Sequence, residues 1–144
     1  MMKCRSDILM KRVIKGLIII LMIFGLTACG AVEENTTEPT SLTYEQITAE
    51  DAKALMDTEK DYIIIDARTY DEYKEGHIAG AILIPEYEIA DRAEDELSHK
   101  DQLILVYCRS GRRSKIASTE LVKLGYTNVK EFGGIIDWPY DVVK

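Results

Sequence analysis

The chain has 144 residues with 18 basic and 25 acidic side chains, which gives a net charge of −7 at neutral pH. That length allows one domain of ordinary size. The acidic balance argues against a broad surface that holds nucleic acid or another polyanion, so any anion site must be local.

The chain begins with a basic segment that runs into an apolar one. Five basic residues and one acidic residue precede the apolar run Leu17–Leu26. This layout is typical of a secretory signal. The run is shorter than the ~20 residues that a spanning helix needs, so a plain membrane anchor is the weaker alternative. The basic segment is long for such a signal, and either Met1 or Met10 can be the true start.

The apolar run ends in Leu26-Thr27-Ala28-Cys29, which resembles the bacterial lipobox. The resemblance implies that residues 1–28 are a lipoprotein signal peptide and that the peptidase cuts before Cys29. The sulfur of Cys29 would then carry diacylglycerol, with palmitate as an acyl chain. The mature protein is accordingly expected on the extracytoplasmic face of the cell membrane. The alternatives are an ordinary signal peptide and a chance cysteine.

The residues after the proposed cleavage point fall into two parts. Residues 29–41 are polar and lack apolar periodicity, which predicts a disordered tether before a domain at 42–144. Five of the 18 basic and one of the 25 acidic residues precede Cys29, so the remainder carries a net charge of −11. With Cys4 in the leader and Cys29 acylated, Cys108 is the one thiol expected to be free.

Strand and helix signals alternate through the domain. Strands are predicted at 62–65, 81–84, 103–107 and 129–132. Helices are predicted from Thr48, at 70–75, within 86–97 and at 114–124, with a last helical turn near Trp138. Thr48 is expected to cap the first helix with Asp51 as its reciprocal partner. The alternation predicts an α/β fold, a mainly parallel sheet with helices on both faces.

The segment Cys108-Arg109-Ser110-Gly111-Arg112-Arg113-Ser114 connects the most apolar strand to a helix. Loops at the carboxyl ends of parallel strands form the functional edge of such sheets. Unpaired N–H groups and the dipole at the helix N-terminus, together with three arginines, favour a thiolate at Cys108. Gly111 permits the loop to curl around the sulfur. The pattern therefore predicts a nucleophile in a cup that binds a small anion.

This loop resembles the active-site loop of rhodanese-like sulfurtransferases. Three other segments resemble motifs of the same family in the same order: Ile65-Asp66-Ala67-Arg68, the Gly76-His77-Ile78-Ala79-Gly80-Ala81 segment followed by Ile84-Pro85, and Phe132-Gly133-Gly134 with Trp138. The resemblance covers about residues 42–140 and implies the rhodanese-like three-layer fold.

The family resemblance also implies a reaction and the residues that perform it. Cys108 would take sulfane sulfur from thiosulfate or a related small anion, become a persulfide, and pass the sulfur to cyanide, a thiol or a partner protein. Arg113 would assist catalysis, because it fills the second basic position of the family's loop pattern. Asp66 and Arg68 are expected to form a supporting ion pair. The donor would be bound by five further loop residues: Arg109, Ser110, Gly111, Arg112 and Ser114.

Several alternatives stay open at this stage. Phosphatases that share the fold place five residues between cysteine and arginine, whereas four separate Cys108 from Arg113. Cys108 can be a structural core thiol, and the arginines a solvated face. A non-catalytic sulfur relay or protein-binding module at the cell surface is the second functional class. No metal-ligand spacing or nucleotide loop is visible, so neither a metal nor a cofactor is expected.

Overall fold

The computed structural model describes residues 43–144. Its strands are β1 (Glu45–Gln46), β2 (Tyr62–Asp66), β3 (Ala81–Leu83), β4 (Leu103–Cys108) and β5 (Val129–Gly134). Its α-helices are α1 (Ala49–Thr58), α2 (Tyr70–Glu75), α3 (Ile89–Glu96) and α4 (Arg112–Lys123), with 3-10 turns at Glu86–Glu88 and Ile135–Asp137.

The five strands form one parallel sheet in the order β1-β5-β4-β2-β3. The central strand β4 is buried along its whole length, which explains why it is continuously apolar. Parallel strands end at the same edge of a sheet, so the segments that follow β2 and β4 lie side by side. The Cys108 loop is at this edge.

Two apolar clusters cover the two faces of the sheet. On one face, Ile104 and Val106 pack with Ala93 of α3 and Leu121 of α4. The cluster on the other face includes Leu105 and Tyr107 of β4, Phe132 of β5 and Ala52 of α1. Helices therefore cover both faces, and the predicted α/β three-layer fold is confirmed.

Reciprocal hydrogen bonds fix the starts of two helices. Thr48 and Asp51 form the predicted capping box of α1. Thr69 and Glu72 form a second box at α2, which the sequence pattern did not predict. Helix α4 begins at Arg112, two residues before the predicted start at Ser114. The loop around Cys108 is consequently shorter than the sequence suggested.

The predicted signal peptide, the acylated Cys29 and the tether lie outside the described residues. Within residues 43–144, no helix combines the length and the apolar character that crossing a membrane requires.

Candidate active site

Cys108 is the last residue of β4 and is only 1% exposed. Gly111 adopts a left-handed backbone conformation with φ of +91°, which few residues other than glycine adopt without strain. That conformation turns the chain back, and the Gly111 N–H donates a hydrogen bond to Cys108 Sγ at 3.1 Å. The hydroxyl of Ser114 lies 3.5 Å from the same sulfur. The loop thus curls around its own cysteine.

This environment makes the Cys108 thiol more acidic than an ordinary cysteine. Burial acts to raise the pKa of Cys108, but hydrogen bonds from Ser114, Ser110 and Gly111 outweigh it, and the net result is a lowered pKa. The sequence pattern assigned this effect to the helix dipole and the arginines. The loop adds N–H and O–H donors that contact the sulfur directly.

The three loop arginines occupy different environments. Arg109 and Arg112 are exposed, whereas Arg113 is partly buried. Nη1 and Nη2 of Arg113 each donate a hydrogen bond of 2.7 Å to Glu72, one to each carboxylate oxygen. This fork raises the pKa of Arg113 further and leaves its remaining N–H groups for other acceptors. Arg113 therefore stands beside the loop in a fixed orientation.

Glu72 is a residue of this site that the sequence pattern did not reveal. It accepts hydrogen bonds from Arg113 and from the backbone N–H and hydroxyl of Thr69. The hydrogen bond from Arg113 is the largest influence, and the contacts together lower the pKa of Glu72 to about 2 in spite of burial. Forty-one positions separate Glu72 from Arg113, so no local pattern signals the pair.

Asp66 and Arg68 form a buried ion pair below the loops. The guanidinium of Arg68 donates to both oxygens of Asp66, with the shortest distance 2.7 Å, and to the Gly76 carbonyl at 2.7 Å. The Tyr107 hydroxyl donates to Asp66 at 2.6 Å. Burial, followed by the charge of Asp66, raises the pKa of Tyr107. The network ties the end of β2 to β4 and to Gly76 after α2, and none of its hydrogen bonds reaches Cys108.

A bulge in β5 brings a glycine opposite the cysteine. Val106 pairs with Glu131, but Cys108 pairs with Gly134, so β5 has one extra residue in between. A Cβ on Gly134 would lie 2.6 Å from Cα of Ser110. The Cys108 loop therefore packs directly on backbone at this position, which only glycine permits.

The Ser114 hydroxyl and the Glu131 carboxylate are both buried beneath the Cys108 loop. Ser114 is fully buried, and its hydroxyl lies 2.6 Å from Oε1 of Glu131. Glu131 is a second site residue that the sequence pattern did not reveal, because a glutamate in a strand is usually on the surface.

Within residues 43–144, no group of three or more potential ligands is arranged to hold a metal ion. The geometry is that of a buried cysteine sulfur surrounded by hydrogen-bond donors.

Comparisons with known proteins point to one protein family. The model of the family described as "Rhodanese-like domain" matches residues 48–139. The thiosulfate sulfurtransferase PspE of Escherichia coli strain K12 is 38% identical over 80 residues, which cover 56% of this chain and 77% of that protein. A putative sulfur carrier protein of Bacillus subtilis, YrkF, is 35% identical over 94 residues, which cover 65% of this chain but only half of that protein.

A solved structure also matches. The structure described as rhodanese with anions from E. coli superposes with a TM-score of 0.55 at 36% identity, covering 58% of this chain and 98% of that one. Other curated relatives are longer, and the chain spans less than a third of some of them.

Proposed function

The chain belongs to the rhodanese-like domain family, and we propose that it is a sulfurtransferase that carries sulfane sulfur as a persulfide on Cys108. Sulfur transfer is an activity of the family, since relatives of this chain are named thiosulfate sulfurtransferase and sulfurtransferase. The observation that carries the proposal is the Cys108 sulfur, buried at the end of β4 and surrounded by donors that lower its pKa.

The first half-reaction loads the cysteine. The Cys108 thiolate attacks the outer sulfur of thiosulfate, the S–S bond of the donor breaks, and sulfite leaves with the electron pair of that bond. Because Cys108 is 1% exposed, a small terminal sulfur atom reaches it more readily than a bulky group. Arg113 and the exposed Arg109 and Arg112 supply positive charge for the anionic donor and for the leaving sulfite.

The second half-reaction removes the sulfur from Cys108. A thiol or cyanide attacks the outer sulfur of the persulfide, and Cys108 leaves as a thiolate. The same N–H and O–H donors that stabilise the attacking thiolate stabilise it again here. Splitting one transfer into two displacements at sulfur is covalent catalysis, and no oxidant or reductant is consumed.

The activity is tested with the full-length chain, thiosulfate and cyanide, with thiocyanate as the measured product. We expect turnover by the wild-type protein and none by Cys108→Ser. Cys29→Ser is the matched control, because it also replaces one cysteine by serine but lies outside the loop, and it should keep the activity. Equal activity of Cys108→Ser and the wild type would exclude Cys108 as the sulfur carrier.

The same loop separates this proposal from a phosphatase. Four residues between Cys108 and Arg113 make a loop one residue shorter than that of the phosphatases of this fold. Aryl phosphates should therefore not be hydrolysed. Release of a phenol product at a rate above that of thiocyanate formation would overturn the assignment.

The second candidate function is a relay or binding module that accepts sulfur from a partner protein but does not turn over thiosulfate. It is favoured by the relative named as a putative sulfur carrier protein. Single-turnover loading with polysulfide distinguishes the two. A Cys108 persulfide that forms from polysulfide while thiosulfate gives no thiocyanate would favour the relay.

We also propose that the protein is a lipoprotein anchored to the extracytoplasmic face of the cell membrane. The basis is the basic leader, the apolar run and Leu26-Thr27-Ala28-Cys29. The wild-type chain should sediment with membranes and carry lipid mass on Cys29. The Cys29→Ala variant should appear unprocessed or in the soluble fraction, and an unmodified Cys29 in the processed wild-type protein would exclude the anchor.

A further inference from the structure

Glu131 is a buried carboxylate close to the nucleophile that the proposed reaction does not use. It lies on β5, beside Cys108 on β4, and is 3% exposed. Its Oε1 accepts hydrogen bonds from the Ser114 hydroxyl at 2.6 Å and from the Gly133 N–H at 2.9 Å. Among the ion pairs of residues 43–144, none involves Glu131. Burying a carboxylate without a cation is costly, so this position requires an explanation beyond folding.

The Ser114 hydroxyl links this carboxylate to the cysteine. Its Oγ lies 2.6 Å from Glu131 Oε1 and 3.5 Å from Cys108 Sγ. The two acidic groups are therefore within about 6 Å of each other with one oxygen between them. A serine hydroxyl has a single proton and can donate it to only one acceptor at a time. When Ser114 donates to Glu131, it cannot also donate to the sulfur.

We propose that Glu131 is a positioning residue that shares one proton with Cys108 through the Ser114 hydroxyl. This inference rests on the proposed function, because it assigns a role in forming and releasing the Cys108 thiolate. As the thiol ionises, its proton passes to Ser114 Oγ while the hydroxyl proton passes to Glu131 Oε1. Ser114 then donates to the thiolate. The reverse transfer restores the thiol after the persulfide sulfur has left, and no electrons are exchanged.

Other charged groups surround the same loop and must stay constant in a test. Arg109 and Arg112 belong to the loop itself, and Arg113 is held by Glu72. The charges of Cys108 and Glu86 also act on Arg113. On β5 the neighbouring Lys130 is paired with Glu45 of β1. A substitution confined to Glu131 leaves all of these groups in place.

The shared proton makes a specific prediction about pH. At pH values where the pair holds a single proton, the fraction of Cys108 present as thiolate depends on how that proton is divided and not on pH. The alkylation rate of wild-type Cys108 should therefore rise with pH in two stages separated by a plateau. Glu131→Gln keeps an oxygen that can accept from Ser114 and Gly133 but cannot take the proton. Its rate should follow a single one-proton curve.

The pH midpoint of Cys108 alkylation should also shift in Glu131→Gln. A negative charge about 6 Å from a sulfur opposes thiolate formation by about tenfold to a hundredfold, for effective dielectric constants of about 40 to 20. We therefore expect Glu131→Gln to lower the alkylation midpoint by about one to two pH units. Glu131→Asp, the conservative variant, should recover the two-stage curve at least in part. A purely structural role would change stability without changing the shape of the curve.

The experiment measures the rate of iodoacetamide alkylation of Cys108 by mass spectrometry, from pH 4 to pH 10, in the full-length wild type and both variants. Identical curves for the wild type and Glu131→Gln would overturn the proposal. The assay uses no sulfur donor, so its outcome is independent of whether thiosulfate is a substrate.

A second measurement covers the case in which Glu131→Gln does not fold. The carboxyl carbon of Glu131, followed by NMR in isotope-labelled protein, should report two pH steps in the wild type and one in Cys108→Ser. The same titration curve in both proteins would overturn the shared proton.

Discussion

Glu72→Gln should make the protein less stable at neutral pH and should do so in a pH-dependent way. The Arg113 fork is the main reason why the pKa of Glu72 is about 2 instead of the ordinary 4.5, with further hydrogen bonds from Thr69. That difference corresponds to at most about 3 kcal/mol of extra stability for the ionised form. The folded-state pKa is below the unfolded-state value. The contribution is therefore complete above about pH 4.5 and is lost as pH falls toward about 2.

The measurement is the free energy of unfolding in urea at pH 7, 5, 4 and 3. We expect Glu72→Gln to be about 2–3 kcal/mol less stable than the wild type at pH 7, and this difference to shrink by more than half at pH 3. Asp51→Asn is the matched control, since Asp51 occupies the same position in the capping box of α1 without an arginine partner. Its effect should depend less on pH. A difference between Glu72→Gln and the wild type that stays constant from pH 7 to pH 3 would refute the reasoning.

Substitutions at three further positions probe the loop. Ser114→Ala removes a donor to the sulfur, so the alkylation midpoint of Cys108 should rise toward that of an ordinary thiol, and an unchanged midpoint would show that the hydroxyl does not act on it. Arg113→Ala should lower kcat/KM for thiosulfate at least tenfold, since a charge-assisted contact contributes about 1.5–3 kcal/mol, and Arg113→Lys should recover only part. Equal values for the wild type and Arg113→Ala would contradict this role. Gly134→Ala places a Cβ against the Ser110 backbone, so the loop must move. The free energy of unfolding in urea should fall by about 1–3 kcal/mol, and the rate of thiocyanate formation should also fall. Wild-type values for both quantities would contradict the close packing of Gly134 on the loop.

The sequence predicted the regular parts of the fold because their signals are local. The apolar run before Asp66 and the one that ends at Cys108 are strands, as predicted, and the Thr48–Asp51 capping box is formed. Strand β1 was missed. It has two residues, both exposed, and is defined by parallel pairing with β5 rather than by any apolar pattern.

The residues of the site likewise fall into those that the sequence predicted and those that it did not. The Cys108 loop is contiguous in the chain, so its cysteine, glycine and arginines could be recognised together. Glu72 and Glu131 could not. The first contacts Arg113 across 41 positions, and the second reaches Ser114 across 17. Their partners depend on strand order and on the bulge opposite Cys108, and these are properties of the assembled sheet.

The central claim is that Cys108 carries the transferred sulfur, and intact mass spectrometry tests it most directly. After incubation with thiosulfate and removal of the excess, the wild-type chain should gain the mass of one sulfur atom. Fragmentation should locate that atom on Cys108, and cyanide should remove it as thiocyanate. Cys108→Ser should gain nothing. A wild-type chain that takes up no sulfur from thiosulfate, polysulfide or a persulfide donor, or that carries it on another residue, would contradict the account.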